Sequence, residues 1–257
     1  MNPLTRKLEH FVRLSSEDKA ALDRLASEQL RGFGPHTDIV HEGQPPKVLR
    51  LMLSGWACRY KLLEDGRRQI VGLFLPGDFC DLNIFILREM DHSIAAITDV
   101  TLAQISAETF NEIAFAQPRI MYALWWESLV REAIQREWIV SLGRRDTDER
   151  IAHLFCELFI RMRSVGLTSG CSIELPMTQS ELSDIVGVSA VHVNRTLQTL
   201  RADGLIILKG KTLTIPNLNA LMDAAQFNTN YLHLDHEGAH LDAKEGGTET
   251  PRSNWLT

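Results

Sequence analysis

The chain has 257 residues, 44% of them hydrophobic, with 27 basic and 33 acidic side chains and a formal net charge of −6. That length favours two domains with proper cores, and the absence of any apolar run of about 18 residues excludes a spanning helix. The opening MNPLTRKLEHF lacks an apolar signal core, so a cytoplasmic protein is expected. Cys58, Cys80, Cys156 and Cys171 are scattered without a CxxC pair, which argues against structural zinc and a disulfide framework.

In chain order, SSEDKAALDRLASEQL at 15–30 reads as an amphipathic helix opened by a serine cap and early acids. From about Phe33 to Ile113 the texture changes to short strands, punctuated at Gly43, Gly55, Asp65-Gly66 and Pro76-Gly77-Asp78. That spacing predicts a small all-β barrel or jelly roll. Pro118 suits the first turn of a helix, and a long helix without internal proline is expected from there to Leu142. Met121, Trp125, Ser128, Ile139 and Leu142 lie near one of its faces, whereas Leu124, Val130, Ile134 and Trp138 cover others. A helix apolar on several sides must be buried on several sides. One face is therefore assigned to its own barrel and another to the same helix of a second chain. Gly143–Asp146 reads as a hinge, and Asp148–Arg163 as a further helix. The end of the chain, acidic and with Gly246-Gly247, is expected to be partly disordered.

The most informative stretch is TQSELSDIVGVSAVHVNRTLQTL, Thr178 to Leu200. Thr178 and Glu181 form a capping box ahead of Leu182, Ile185 and Val186. Gly187 falls where that helix must turn, and Ser189 caps a second helix. Val193, Leu197 and Leu200 point back to the core, leaving Ala190, Val191, Asn194, Arg195 and Gln198 outside. RADGLIILKGKTLTI then gives a helix end at Gly204 and two strands around Lys209-Gly210-Lys211. This is a winged helix-turn-helix, with positive charge at the wing tip and a recognition helix for duplex DNA. The acidic total weakens this reading slightly and does not overturn it, because the tail from Asp235 to Thr257, with five acidic and two basic residues, alone contributes −3.

The order of barrel, long helix, hinge and winged helix resembles the CRP/FNR family of transcription regulators, whose sensory domain has the cyclic-nucleotide-binding fold. The turn glycines, the PGD at 76–78 and TQSELSDIVGVS…VNRTL carry the likeness over roughly residues 15–220. It implies an α+β fold divided into a sensory barrel at 1–116, a dimerisation helix and hinge at 117–146, a winged helix at 147–222 and a tail at 223–257. It also implies a homodimer on a near-palindromic operator, with RNA polymerase as a further partner. Arg195 is assigned the base reading, since a bidentate arginine on guanine discriminates by about 1–3 kcal/mol. Asn194 is a candidate for adenine, and Val191 or Ala190 for a thymine methyl. Thr178, Ser180, Ser189 and His192 are phosphate contacts, with Gln198, Lys209 and Lys211 completing the DNA surface.

In the same alignment the nucleotide-holding positions fall at Leu82, His92, Ser93, Gln135 and Arg136. Only Ser93 matches the cyclic-AMP-binding pattern, and Leu82 cannot accept a ribose hydroxyl, which argues against cyclic AMP. With Cys58 as the first cysteine, the N-terminal iron–sulfur cluster of oxygen-sensing members also has no ligands. The effector stays open, and no metal site is assigned. Two alternatives remain: a regulator controlled by its own level or by a partner protein, and a cupin-type metal enzyme. The second lacks its signature, because His36, His41 and His92 do not have HxH spacing. The chain is therefore read as a non-enzyme.

Overall fold

Residues 2–82 and 84–244 are described by a computed structural model. Two helices open the chain. Helix α1 (Pro3–Leu8) is capped by Asn2 and has proline in its first turn. Helix α2 (Ser16–Ser27) starts with a reciprocal capping box between Ser15 and Asp18.

Seven strands follow: β1 (Leu30–Phe33), β2 (Asp38–Val40), β3 (Leu49–Ser54), β4 (Ala57–Leu62), β5 (Arg68–Phe74), β6 (Ser93–Ala96) and β7 (Val100–Ile105). They pair antiparallel into two open sheets, β1-β7-β3 and β2-β6-β4-β5, so the roll is not one continuous closed barrel. The sensor core lies between the sheets, where Leu51, Met52, Ala57, Phe74, Ile94 and Leu102 meet α1, α2 and the first half of the long helix.

The four-stranded sheet is buried on both faces. Side chains alternate across a strand, so Ala57 and Ile94 enter the sensor core while Cys58 and Ala95 join a second core with the C-terminal half of the molecule. The strand texture ends earlier than expected. Ser106 caps a helix, α3 (Ala107–Ala116), by accepting from the Thr109 N–H, so 107–113 are helical instead of extended.

Helix α4 (Pro118–Arg144) spans 27 residues, roughly 40 Å at the α-helical rise. Gly143 and Arg144 still belong to it, so the break is confined to Arg145-Asp146, narrower than the expected hinge. Asp146 then caps α5 (Thr147–Ser164), whose residues from Ile151 to Ile160 are all buried.

Strand β8 (Ser172–Glu174) precedes α6 (Gln179–Val186), α7 (Ala190–Ala202), β9 (Ile207–Lys209) and β10 (Thr212–Thr214). The wing is a three-stranded sheet, β8-β10-β9, with β8 added to the expected hairpin. Helix α8 (Leu218–Ala224) and the segment to Lys244 pack on the body, so this part of the tail expected to be partly disordered is ordered. The Gly246-Gly247 stretch lies outside the described residues. No helix among the described residues is long and apolar enough to cross a membrane.

Candidate nucleic-acid interface

Local rules place the two helices of the DNA-facing end. Thr178 Oγ1 accepts from the Glu181 N–H at 3.1 Å, and Glu181 Oε2 accepts from the Thr178 N–H at 2.8 Å. Helix α6 stops at Gly187, whose φ of 71° is left-handed backbone that a side chain would strain. Ser189 Oγ accepts from the His192 N–H at 3.3 Å and starts α7. Val193, Thr196, Leu197 and Leu200 are buried against α5 and α6, which fixes the rotation of α7 about its axis.

That rotation leaves Ala190, Val191, His192, Arg195 and Gln198 exposed, Val191 at 73%. The Arg195 guanidinium has no hydrogen bond or ion pair among the described residues, so its five N–H donors face solvent. Gln198 Nε2 donates to Asn194 Oδ1 at 2.9 Å, which leaves the Asn194 amide N–H groups for a base edge. Thr178, Ser180, Ser189, Lys209 and Lys211 are exposed as well. All eleven residues assigned to DNA from the sequence thus lie on the surface or half-buried, and none is drawn into the core.

The positions assigned to an effector do not converge in this way. His92 is buried, with Nδ1 2.7 Å from Asp91 Oδ1, while its Nε2 accepts from Arg59 Nε at 3.1 Å. Arg59 also donates to Asp81 Oδ1 at 2.6 Å and to the Cys80 carbonyl at 2.7 Å. Ser93 Oγ accepts from the Glu42 N–H at 3.0 Å, and Leu82 is buried. Gln135 donates to the Val71 carbonyl at 2.7 Å. Arg136 is exposed, 3.8 Å from Glu132 on its own helix, and does not point inward. A cavity of about 60 Å³ lies between β5, α4 and α5; of the five positions only Gln135 lines it.

The five positions assigned to dimerisation differ in exposure. Met121 packs on the sensor core, and Ser128 turns its hydroxyl to the Leu124 carbonyl at 3.1 Å. Trp125, Ile139 and Leu142 are exposed as expected, at 56%, 69% and 40%. The outward row is Trp125, Leu129, Glu132, Arg136, Ile139 and Gly143, all exposed. Its spacing of four and three residues in alternation is the a/d pattern of a two-stranded coiled coil. Sequence reading left out Leu129, which lies one step of about 40° to the other side of Trp125 from Met121 and Ile139. The period was available in the sequence; the side facing the barrel was not.

Between these two ends lies a buried ion network that no spacing rule announces. Asp78 of the PGD turn accepts from Lys7 of α1 at 2.6 Å, from Arg161 of α5 at 2.9 Å and from the Leu75 N–H at 2.8 Å. Burial pushes its carboxyl up, but Lys7 and Arg161 outweigh that and hold it down at about 2. Gly77 brings the turn against α1, since a Cβ there would sit 2.8 Å from the Pro3 carbonyl. Lys7 also reaches Glu127 at 2.8 Å, and Glu127 accepts from Arg131 at 2.5 Å. Farther along, Glu157 accepts from Arg161, from the Trp138 indole N–H at 3.0 Å and from the Tyr231 hydroxyl at 3.2 Å.

A second, more exposed set joins α6 to the sensor. Arg68 of β5 pairs with Asp184 at 2.7 Å, and Gln69 donates to the Ile185 carbonyl at 3.0 Å. Arg150 donates to the carbonyls of Ser141, Arg145 and Val186, which ties together the ends of α4 and α6. Among cysteines, Cys58, Cys80 and Cys156 are buried, and burial pushes each thiol up to about 12, so they stay protonated. Among the described residues no group of three or more His, Cys, Asp or Glu side chains is arranged to hold a metal ion.

A two-sheet N-terminal domain, a long helix with an exposed heptad row and a winged helix with an open face on α7 define a DNA-binding regulator. Comparison with known proteins gives its family. Residues 30–117 match the cyclic nucleotide-binding domain, and residues 149–224 the Crp-like helix-turn-helix domain. The chain is 28% identical over 203 residues to the transcriptional activator protein FnrL of Cereibacter sphaeroides, covering 78% of this chain and 80% of that one. It is 35% identical over 159 residues to the nitrogen fixation regulation protein FixK of Bradyrhizobium diazoefficiens, covering 61% and 65%. The fold matches FixK2 from Bradyrhizobium japonicum with a TM-score of 0.68 at 23% identity, over 76% of this chain and 96% of that one. The Xanthomonas campestris regulator CLP follows at 0.61 and 25% identity, over 77% and 99%. The chain belongs to the CRP/FNR family of transcription regulators.

Proposed function

We propose that the chain works as a homodimer that reads a near-palindromic duplex through two copies of α7, set by a signal at the sensor. The observation that carries this reading is the free guanidinium of Arg195, on a helix whose opposite face is locked in the core. Arginine pairs bidentately with guanine O6 and N7 in the major groove. Val191 and Ala190 present methyl groups beside it, suited to a thymine methyl, while Asn194 fits an adenine edge. Ser180 and the N-terminus of α7 at Ser189 face phosphates, with Lys209 and Lys211 reaching the flanking backbone.

The second copy is supported by the open seam on α4. Trp125, Leu129 and Ile139 expose large apolar area on a helix otherwise buried against its own chain, and a paired helix would cover it. Dimerisation then places the two reading helices roughly 34 Å apart. The sensor signal is a species other than cyclic AMP: Leu82 offers no acceptor to a ribose, and His92 is already held between Asp91 and Arg59. RNA polymerase completes the partners in a cytoplasmic setting. The test is selection of binding sites from a randomised duplex library with the full chain and with Arg195→Ala. The reading predicts that the variant loses a guanine preference and about tenfold or more in affinity for the selected site, a 1–3 kcal/mol effect. Unchanged preference at every position would remove Arg195 from the base-reading role.

A further inference from the structure

The helix-turn-helix match ends at residue 224, yet the chain continues as an ordered segment. That segment first stays with the DNA-binding half. Phe227 and Tyr231 flank the His153 ring of α5, with centroids at 4.7 and 5.9 Å, and both are buried. The Tyr231 hydroxyl donates to Glu157, which also receives the indole N–H of Trp138 on α4. Leu232 and Leu234 then line the cavity between β5, α4 and α5, opposite Trp126 and Val130.

Beyond this point the segment leaves the DNA-binding half and reaches the sensor's N-terminus. The Gly238 N–H donates to the Phe11 carbonyl at 3.0 Å, and the close approach suits glycine, because a Cβ would meet the Phe11 ring at 2.7 Å. The Arg13 N–H donates to Asp242 at 2.7 Å, and the Ala243 N–H returns to the Arg13 carbonyl at 3.0 Å. Arg119, at the start of α4, donates to the Leu241 carbonyl at 2.7 Å. His236 steadies the turn through Asp242 at 2.9 Å.

We propose that residues 225–244 are a strap that clamps the DNA-binding module onto the sensor, with Phe11–Arg13 and Arg119 as its docking site. Domains joined by a short hinge move relative to one another unless a large apolar interface holds them. Here the four-stranded sheet already shares an apolar core with α5 and α6, in which Cys58 and Ile70 cluster with Leu182 and Ile185, while the polar contacts at its edge, such as Arg68 with Asp184, are half-exposed and contribute little. The strap adds buried aromatic contact at α5 and backbone pairing at Phe11 and Arg13, on opposite sides of the break at Arg145-Asp146. It also pins the segment after α1, the helix that carries Lys7 to Asp78. Strap and ion network therefore act on the same joint. This assignment stands without any statement about which DNA is read.

The test measures the separation of the two halves by pulsed electron paramagnetic resonance. One spin label goes on Cys171, the exposed cysteine of the DNA-binding half, and one on Glu64→Cys at the β4–β5 turn. Labelled chains are diluted with unlabelled chain. The full chain is expected to give one narrow distance, and a chain ending after Gln226 a distribution at least twice as broad. If that shortened chain does not fold, the full-length double variant Gly238→Val/Asp242→Ala decides, with broadening in the same direction. A full chain that is already broad, or folded variants with the same width as the full chain, would overturn the strap.

Discussion

The recognition helix and the sensor junction are held by opposite means. The groups that start and aim α7 are readable locally, with Ser189 at its start, Gly187 before it, and Val193, Leu197 and Leu200 spaced along the inner face that packs on α5 and α6. The junction is held by residues far apart in the chain, with Asp78 joined to Lys7 and Arg161, and Glu157 joined to Trp138 and Tyr231. The difference teaches where function and regulation sit. The open end is positioned by short-range rules and keeps its polar groups free for a ligand. The closed end spends its polar groups on its own chain, so changes there alter stability and orientation before they alter contacts with DNA.

Substitutions at the two ends should therefore differ in kind. The largest expected effect is at Asp78. Replacing it with Ala removes the carboxylate that Lys7 and Arg161 share and leaves them Glu127 and Glu157 alone, which destabilises by about 2–3 kcal/mol. Chemical denaturation followed by circular dichroism reads this directly, and a loss below about 1 kcal/mol would show that the network is not a structural tie. Next comes the open seam. Leu129→Glu combined with Ile139→Glu puts four carboxylates into the proposed coiled coil of a dimer, and sedimentation should show monomers at concentrations where the parent chain is dimeric. A dimer that persists unchanged moves the interface elsewhere.

Acid provides a third test. The folded-state pKa of Asp78 is held at about 2, below its unfolded value near 4. Its contribution is present above pH 4 and is lost as pH falls from there through about 2, a change of roughly 2 kcal/mol. The Asp78→Ala variant should lack that component of acid destabilisation. The strap contributes next: a chain ending after Gln226 should bind its selected duplex about tenfold more weakly, since a loosened module must be ordered on binding. The smallest effect is at Thr178→Ala, which removes the α6 cap and lowers stability by about 1 kcal/mol, with DNA preference unchanged.

The same contrast explains how much could be read before the fold was in hand. Capping boxes, Gly187 and the apolar inner face of α7 follow from sequence spacing, and so the exposed face of α7 was legible residue by residue. The roll was legible as a class through its turn signals, but the helix at 107–116 was masked by its apolar FNEIAFA texture. Met121 and Ser128 lie at the edge of the outward face of α4 and are half-buried, because a helix apolar all round does not announce how much of each face the N-terminal domain covers. Asp78 looked like a turn residue, as its partners lie 71 and 83 positions away. The order of residues 225–244 was not legible in a tail expected to be partly disordered, because Phe227, Tyr231 and Leu232 are apolar residues without a period. Their burial comes from α5 and α4, a long-range fact.

The central claim is that this chain is a symmetric reader of DNA, and one measurement addresses it most directly. Sites selected from a randomised duplex library by the full-length chain should converge on an inverted repeat, with half-site centres about 10 base pairs apart. Loss of either half-site should weaken binding by tenfold or more. Selected sites that carry a single half-site, or direct repeats, would contradict a symmetric dimer built on α4.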